Sequence, residues 1–392
     1  MTKSYIPVYF LLLFLISCGS STESVTPGEK DSVIYTAEKK DMILRTDRPP
    51  NFETPLKYFL FDFTPNDVFF VRWHLSGLPM AIDEKDFRLH VTGHVNRELS
   101  LSLEELKTSF EPVSLNALCI CAGNARSFFD PHVPGAQWKN GAMGNARWTG
   151  VRLKDILSKA GIRNGGISIS FNGLDEPPLS SVPDFVKSLT VDHSMDGEVM
   201  IAYEMNGAPL PLLNGYPLKL VVPGWYATYW VGMLNEIKVY PDTFKGFWMD
   251  KAYQVPENVS NGNESHDALA KKTVPINKID VRSMFVSPEN ESKIKPGIPC
   301  TIYGLAFDGG DGISSVEISS DSGSTWTRCD LNPSLGNYSW RKWNYTFIPA
   351  RGKITFEVKA TNMKGETQPE HQWNRSGYMR NEIEFLTLNA SE

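Results

Sequence analysis

The segment Cys119-Ile120-Cys121-Ala122-Gly123-Asn124-Ala125-Arg126 carries the most chemical information in this sequence. Arg126 follows Cys121 by five residues, with small residues between them. A nearby cation lowers the pKa of a thiol and so favours the thiolate, the form that binds metal ions. A cysteine taken alone is more often a buried packing residue, and no second Cys/His pair stands at the spacing of a structural zinc site. The segment by itself therefore leaves both a metal-binding thiolate and a packed thiol open.

Composition narrows the class of protein. The chain has 392 residues, 41% hydrophobic and 21% charged, as expected for a globular protein with more than one domain. The net charge is −6, and no Lys/Arg cluster or recognition motif favours nucleic-acid binding. An anionic substrate would therefore need a local basic pocket, because the overall field does not attract it.

Residues 1–18 are predicted to be a lipoprotein signal peptide. Lys3 precedes an apolar run over residues 6–16, which is too short to span a bilayer but has the length of a signal-peptide core. The run ends in Leu15-Ile16-Ser17-Cys18, which resembles the bacterial lipobox, whose Cys becomes the lipid-modified first residue of the mature protein. The sequence thus predicts a chain tethered through Cys18 on the periplasmic side of a bacterial membrane. An ordinary signal peptide with an incidental Cys is the alternative.

The next two parts of the chain differ in their pattern of apolar and polar residues. Residues 19–50 are predicted to be a flexible tether and arm. Residues 51–256 mix short apolar runs with helical signals and predict an α+β domain with a mixed sheet. A capping-box pattern from Ser102 to Glu105 predicts a helix start, and Gly161 predicts a helix stop. An apolar run over residues 217–222 predicts a buried strand.

The C-terminal part has the pattern of an all-β domain. Residues 257–274 are polar and predict a linker, and residues 275–392 predict a β-sandwich consistent with an immunoglobulin-like module. Phe356 and Val358 belong to a run that alternates with polar residues at period 2. Cys300 and Cys329, 29 residues apart, are predicted either to form a disulfide, which an oxidising compartment permits, or to be two buried free thiols.

Several further motifs occur in order around the opening segment. They are Phe69-Phe70-Val71-Arg72-Trp73-His74 upstream, residues 141–153, 202–211 and 221–224 downstream, and residues 304–310, 322–326 and 373–378 near the C-terminus. Together they resemble the sulfite oxidase family of molybdenum-cofactor oxidoreductases, from about residue 55 to the end. Residues 224–230 and 246–249 are most similar to bacterial sulfite dehydrogenases. The resemblance implies a mixed-sheet molybdenum-cofactor domain of the sulfite oxidase fold followed by an immunoglobulin-like dimerisation domain.

The same resemblance implies roles for individual residues. Cys121 would give its thiolate to molybdenum, a soft ligand for a redox metal. Arg72, His74 and Arg126 would form a cationic pocket for an oxyanion, and Tyr253 would be a neutral hydrogen-bond donor. The molybdopterin would be bound by Cys121 together with Phe70, Val71, Arg72, Trp73, His74, Asp175, Asn214, Lys219, Trp230, Val231 and Gly232.

The resemblance also implies partners. The reaction would be the oxidation of sulfite to sulfate. No Cys-x-x-Cys-His occurs and no cytochrome b5-type domain precedes the molybdenum domain, so an external c-type cytochrome or haem subunit would take the electrons. Family analogy implies a homodimer, and lipid on Cys18 would be the contact with the membrane.

The sequence departs from the family pattern at three points. Pro134 or its neighbours stand where animal sulfite oxidases have a pocket Lys, and Gly232 replaces a Lys that commonly ends the pterin-binding segment. The signal peptide has no twin-arginine pair, although molybdenum enzymes usually fold around their cofactor before export.

Arg380 is predicted to form a surface ion pair rather than to join the substrate pocket.

Two alternatives compete with sulfite oxidation. The same molybdenum centre could run in the opposite direction, as a reductase of nitrate or an S-oxide. A non-enzymatic surface lipoprotein, which binds a partner through its immunoglobulin-like domain, is the other hypothesis. Arg72 and His74 stand at i and i+2 and would share one face of a strand, where such a pair taken alone is more often solvated. Tyr253 taken alone would be a packing residue.

Overall fold

The computed structural model describes residue 39, residues 41–257 and residues 263–391. The predicted signal peptide with Cys18, and most of the predicted tether, lie outside these residues. Among the described residues, no helix has the length and apolar character needed to cross a membrane.

The first part of the described chain is built mainly from strands. In chain order these are β1 (Ile43–Thr46), β2 (Asn51–Glu53), β3 (Val71–Arg72), β4 (Leu89–Gly93), β5 (Leu99–Leu101), β6 (Pro112–Ile120), β7 (Met143–Arg152), β8 (Ser168–Gly173), β9 (Lys187–Thr190), β10 (Met200–Met205), β11 (Ala208–Pro209), β12 (Lys219–Val221), β13 (Leu234–Tyr240) and β14 (Gln254–Pro256). The helices are α1 (Leu103–Ser109), α2 (Leu153–Ala160), α3 (Val191–Met195) and α4 (Phe247–Asp250). Short 3-10 helices cover Leu56–Leu60, Asn66–Val68, Arg126–Phe128, Leu212–Asn214 and Ala227–Tyr229. The domain therefore has fewer helices than the α+β prediction suggests.

Two five-stranded sheets form the body of this part. One has the order β11-β10-β7-β6, with β12 also paired to β10. The other has the order β5-β4-β13-β8-β9 and is mixed, because β13 runs parallel to β4 and antiparallel to β8. A third sheet, β1-β2-β3, brings the N-terminal arm alongside Arg72.

Local sequence signals account for several element boundaries. Ser102 Oγ accepts a hydrogen bond from Glu105 N, and Ser102 N donates to the Glu105 carboxylate, so the predicted capping box starts α1. Gly161 ends α2 with a φ of 71°, a conformation that glycine adopts without steric cost. The predicted buried strand over residues 217–222 corresponds to β12. These three predictions are confirmed.

The C-terminal part contains two sheets that enclose a hydrophobic core. Its strands are β15 (Thr273–Pro275), which pairs with β14, and β16 (Arg282–Ser287), β17 (Ser292–Ile294), β18 (Cys300–Phe307), β19 (Ile313–Ser319), β20 (Thr327–Arg328), β21 (Asp330–Leu331), β22 (Arg341–Phe347), β23 (Gly352–Asn362) and β24 (Glu384–Ala390). The sheets have the orders β16-β18-β22-β21 and β17-β24-β23-β19-β20. Phe356 and Val358 are buried between them, as the period-2 pattern predicts. The immunoglobulin-like character of this sandwich stays a prediction.

The cysteines of the C-terminal part are free thiols. Cys329 is buried and Cys300 is half-buried, with no disulfide between them. Of the two alternatives for this pair, the structure has the free thiols.

A buried ion-pair network joins the two parts of the chain. Arg282 Nη2 lies 2.5 Å from Glu384 Oε1, and Arg282 Nη1 donates to Asn124 Oδ1 at 3.1 Å. Arg380 Nη1 also lies 2.7 Å from Glu384 Oε1. Arg380 is 7% exposed, so the prediction of an ion pair is confirmed but its placement on the surface is wrong. Burial raises the pKa of Glu384, but both guanidiniums oppose this and the pKa is lowered overall.

Replacing Glu384 by Gln is expected to lower the free energy of unfolding by on the order of 3–5 kcal/mol, because the buried Arg282 loses its counter-ion and Arg380 keeps only Glu382. Urea unfolding of the C-terminal part measures this change. Glu291→Gln is the matched control, since Glu291 pairs with Lys353 at 3.2 Å on an exposed surface and its loss should cause no measurable change. Equal stability of the two variants would contradict the structural role of the network.

Candidate active site

One cavity collects most of the residues that the sequence singled out. It encloses about 700 Å³ of space free of protein atoms, counting the part open to solvent. Its lining residues are Phe69, Phe70, Arg72, Trp73, His74, Cys119, Cys121, Ala122, Trp148, Asp175, Phe185, Leu213, Asn214, Lys219, Ala227, Thr228, Trp230, Gly232 and Tyr253. Val71 and Val231 are buried in hydrophobic clusters and do not belong to this lining.

Cys121 is placed at the cavity wall by the end of β6. Its N–H donates to the carbonyl oxygen of Ala142 on the approach to β7, at 2.9 Å, and its own carbonyl accepts from Asn124 N at 2.9 Å. The tight turn that follows includes Ala125 with a φ of 67°. The thiol is 5% exposed and faces the cavity.

Cys119 lines the same cavity and was not singled out by the sequence. Cys119 and Cys121 stand two residues apart on an extended chain, so both side chains point to the same face. Burial raises the pKa of Cys119 to about 12, although Lys219 opposes the rise. Cys119 is therefore a neutral thiol beside the predicted metal ligand.

Arg72 and His74 also point to the same face, as their spacing predicts, and both line the cavity. Arg72 Nη1 donates to Asn51 Oδ1 at 3.3 Å and to the carbonyl oxygen of Trp73. Among the described residues, no carboxylate forms an ion pair with Arg72, so its charge is not neutralised by the protein there. Arg72 is accordingly available to an anion.

His74 differs from the predicted cationic role. Its ring stacks on Phe185, with centroids 3.8 Å apart and an angle of 9°, and its Nε2 is hydrogen-bonded to the Tyr253 hydroxyl. Burial, and then the charges of Arg72 and Lys187, hold the pKa of His74 well below 6.5. His74 is therefore neutral at physiological pH.

Tyr253 is a buried residue held in an unusual backbone conformation. It is 5% exposed, has a φ of 57°, and stacks on Tyr378 with ring centroids 5.0 Å apart. Burial raises the pKa of Tyr253, and the opposing charge of Arg72 does not cancel the rise. The hydroxyl keeps its proton, as a neutral donor must.

Arg126 lies behind the cavity wall rather than in it. Its Nε donates to the Gly377 carbonyl at 3.0 Å and its Nη1 to the Ala136 carbonyl at 3.2 Å. The guanidinium lies 4.8 Å from the centre of the Tyr378 ring. Of the three residues predicted to form the cationic pocket, Arg72 and His74 line the cavity, and His74 is neutral.

The cavity lining also has polar atoms without protein partners among the described residues. Asp175 Oδ2 and Thr228 Oγ1 are buried and have no hydrogen-bond partner among the described residues. Burial raises the pKa of Asp175 to about 7. Lys219 has no ion-pair partner among the described residues, and burial lowers its pKa. Unsatisfied buried donors and acceptors indicate a ligand, and this mixed set fits a polar heterocycle that carries an anionic group.

Asn214 and Gly232 contribute to the shape of the cavity. Asn214 Nδ2 donates to the Phe70 carbonyl at 2.9 Å, and its Oδ1 accepts from Lys39 Nζ at 2.5 Å, so its amide is occupied within the protein. A Cβ on Gly232 would lie 3.0 Å from Gly215 Cα and 3.2 Å from the Trp73 ring. The side chain that Gly232 lacks would therefore meet Trp73, and position 232 can offer a ligand its backbone only.

Lys187 is a residue near the site that the sequence did not reveal. It lies at the start of β9, fully buried, and its Nζ donates to the Trp248 carbonyl at 2.6 Å. Charged residues in strands usually stand on a solvated face, so sequence pattern gave no signal for it. Thr228 was missed for a similar reason, because its hydroxyl is buried only through tertiary packing.

Comparison with known proteins agrees with this geometry. Residues 75–248 match the family model described as oxidoreductase molybdopterin binding domain, and residues 273–384 match the Mo-co oxidoreductase dimerisation domain. Among the described residues, no group of three or more His, Cys, Asp or Glu side chains could hold a metal ion. The single thiolate of Cys121 fits a metal that a bound cofactor carries.

Several relatives are similar in sequence over most of the chain. Mitochondrial sulfite oxidase of Macaca fascicularis is 31% identical over 92% of this chain and 67% of its own length. Sulfite oxidase of Gallus gallus is 32% identical over 86% and 75%. Nitrate reductase [NAD(P)H] of Hordeum vulgare is 29% identical over 85% of this chain and 40% of its own. The crystal structure of the sulfane dehydrogenase SoxCD from Paracoccus pantotrophus shares the fold, with a TM-score of 0.76 and 24% identity over 90% of this chain and 87% of that one.

The fold and the cavity define a molybdopterin-dependent oxidoreductase. More particularly, the chain belongs to the sulfite oxidase family, and its cofactor is Mo-molybdopterin. The predictions of family, enzyme class and cofactor are confirmed. The residue roles inferred from the resemblance stay predictions.

The neutral state of His74 has a measurable consequence. In the pH window between its low pKa in the folded protein and about 6.5 in the unfolded chain, only the unfolded chain binds the proton, so acidification favours unfolding. Below pH 6.5, wild-type stability should fall with a His74 contribution of up to about 1.4 kcal/mol per pH unit, which His74→Gln should lack. Unfolding midpoints from pH 8 to 5 measure it, with the exposed His371→Gln as control. Parallel curves for wild type and His74→Gln would contradict this assignment.

Proposed function

We propose that this protein oxidises sulfite to sulfate and passes the electrons to a separate c-type cytochrome or haem subunit. The observation that carries the proposal is the meeting of Cys121, Arg72, His74 and Tyr253 at one cavity. These residues come from three distant parts of the sequence, so the fold has brought a thiol, a guanidinium and a phenol together. The named relatives above 30% identity are sulfite oxidases, which supports sulfite as the substrate.

Two sets of lining residues have different tasks in this proposal. Cys121 would hold the molybdenum, while Asp175, Thr228 and Lys219 would hold the pterin through atoms that otherwise have no partner. The bound cofactor supplies two-electron redox chemistry and oxygen-atom transfer to sulfur. The protein's own side chains position the substrate and its protons.

At the substrate end, Arg72 provides the charge that attracts the oxyanion. Its guanidinium donates in a plane that matches two oxygens of sulfite, and no protein carboxylate competes for it among the described residues. Tyr253 adds a neutral donor whose orientation is fixed by His74. A neutral His74 can exchange a hydrogen bond with Tyr253 without holding the anion too tightly, which favours release of sulfate.

The overall reaction balances when a separate electron acceptor takes part. Sulfite and water give sulfate, two protons and two electrons, and the electrons leave one at a time. A one-electron haem carrier is the acceptor class that this stoichiometry favours. We also propose that the chain forms a homodimer through its C-terminal domain, in keeping with the description of the family model that matches it.

The Cys121 thiolate is the residue on which turnover depends most directly. Cys121→Ser should bring sulfite oxidation close to background, because the harder hydroxyl is a poor replacement for a soft thiolate at a redox metal. Cys119→Ser is the matched control, since it alters the same cavity wall two residues away and should retain most activity. Turnover with sulfite and ferricytochrome c, normalised to molybdenum content, measures both variants.

The assay also separates the competing hypotheses. Reduction of nitrate or methionine sulfoxide by reduced viologen, without sulfite oxidation, would show that the enzyme works in the opposite direction. A well-folded protein that lacks molybdenum when purified from its native compartment would instead favour a binding lipoprotein. Full activity in Cys121→Ser would contradict the role given to this cysteine.

We propose that lipid on Cys18 anchors the protein to the periplasmic side of a bacterial membrane. The support for this is the lipobox-like run that ends at Cys18. Cys18→Ala should abolish incorporation of labelled palmitate, because the acceptor thiol is absent. Labelling of intact cells measures this, with Cys329→Ala as control. Undiminished labelling of Cys18→Ala would contradict lipidation at this residue.

A further inference from the structure

Lys187 is a buried lysine whose ammonium form has no counter-ion among the described residues. It is 0% exposed, and its one hydrogen bond is donated to the carbonyl oxygen of Trp248 at 2.6 Å. Among the described residues, no Asp or Glu forms an ion pair with it. Burial lowers its pKa to about 7, and no acidic group offsets this. Burying an unpaired charge is costly, and a Met of similar length would fill the space without that cost.

The ammonium of Lys187 lies against the aromatic wall of the active site. It is 4.5 Å from the centre of the Tyr229 ring and 5.2 Å from that of Tyr253. Tyr253 is in turn hydrogen-bonded to His74, and Phe185, two residues before Lys187, stacks on the His74 ring. Trp248, which accepts the hydrogen bond from Lys187, also contacts His74 edge-on with centroids 5.0 Å apart. Lys187 thus contacts Tyr253 itself and Trp248, which packs against His74.

We propose that Lys187 is a positioning residue, which holds the Tyr253 hydroxyl against His74 and adds positive potential at the substrate end of the cavity. A cation over a phenol ring is attracted to its π face and makes the hydroxyl a stronger hydrogen-bond donor. In a site with little water the same charge favours an oxyanion at longer range than a hydrogen bond does. The proposal rests on the proposed function, in that the oxyanion is taken to be sulfite.

Lys187 can supply positive charge that the predicted anion pocket otherwise lacks. Pro134 or its neighbours stand where animal relatives have a pocket Lys, Arg126 lies behind Tyr378, and His74 is neutral. Arg72 would then face a doubly charged oxyanion with little help at this end of the cavity. Lys187 supplies a second cation from a different strand, behind the aromatic residues rather than in direct contact with the substrate.

The test compares holoprotein variants by their affinity for sulfate, which binds without turning over. Lys187→Met should weaken sulfate binding by roughly 10-fold, as the loss of one partly screened charge implies, and raise the KM for sulfite more than it lowers kcat. Lys187→Arg should restore most of the affinity. The matched control is Lys238→Met, because Lys238 also lies over a tyrosine ring, Tyr240 at 5.5 Å, but on the exposed face of β13. Isothermal titration measures the affinities at equal molybdenum content.

Thermal unfolding separates a positioning role from a structural one. Without sulfate, Lys187→Met should melt no lower than wild type, since an unpaired buried charge has been removed, while the stabilisation that sulfate adds should shrink. A lower melting temperature with sulfate affinity within twofold of wild type would overturn the proposal. Should Lys187→Met not fold, Lys187→Gln takes its place. Failure of both to fold would assign Lys187 a structural role and overturn the proposal as well.

A double-mutant cycle tests whether Lys187 acts through Tyr253. In a Tyr253→Phe background, Lys187→Met should weaken sulfate binding much less than it does alone. An undiminished effect there would overturn the action through Tyr253. Sulfate binding does not require turnover, so a wild-type enzyme that fails to oxidise sulfite would refute the proposed function while these affinities still decide the role of Lys187.

Discussion

The active site depends on the register of β6 and β7. The two strands pair residue by residue from Pro112↔Val151 to Ile120↔Met143, and the next backbone hydrogen bond joins Cys121 N to Ala142 O. Side chains alternate along a strand, so Cys119 and Cys121 pack on the cavity side while Leu118 and Ile120 pack in a different hydrophobic cluster. A slip of one residue would exchange these two sets and remove the thiol from the cavity. The metal ligand is thus fixed by a long antiparallel pairing, a more rigid support than a loop.

The residues after Cys121 depend on the C-terminal domain instead. Met379 N donates to the Ala122 carbonyl at 2.9 Å, Arg282 donates to Asn124, and Arg126 donates to the Gly377 carbonyl. These contacts attach three successive parts of the cysteine loop to residues more than a hundred positions away. Tyr378 completes the wall by stacking on Tyr253. The C-terminal domain, which matches the dimerisation-domain model, is therefore also part of the active-site framework. Both domains contribute to the position of the cysteine loop.

Much of this arrangement could be predicted from the sequence, and the failures have a common physical cause. Short-range signals, such as the capping box at Ser102 and the positive-φ stop at Gly161, depend on a few neighbouring residues and were predicted correctly. Cys121, Arg72, His74 and Tyr253 could be assigned to one cavity because ordered motifs carried them. Arg380 was placed on the surface because the sequence does not reveal the strand pairing that buries its partner, Glu384. Lys187 and Thr228 were missed for the same reason, since whether a polar side chain faces solvent or a cavity is decided by tertiary contacts.

Two sets of cations in this protein have opposite consequences. Arg282 and Arg380 share Glu384, so their charges are neutralised inside the C-terminal domain, and Arg282 also donates to Asn124 of the first domain. Arg72, Lys219 and Lys187 have no such partner among the described residues, and all three lie at or behind the wall of one cavity. Unpaired buried charge destabilises a fold unless an anion compensates it. A protein with a net charge of −6 has therefore concentrated positive potential where an anionic cofactor and an oxyanion would meet. Each unpaired cation destabilises the protein while the cavity is empty. Binding of an anion removes this cost, so the free energy that is recovered adds to the affinity for the ligand.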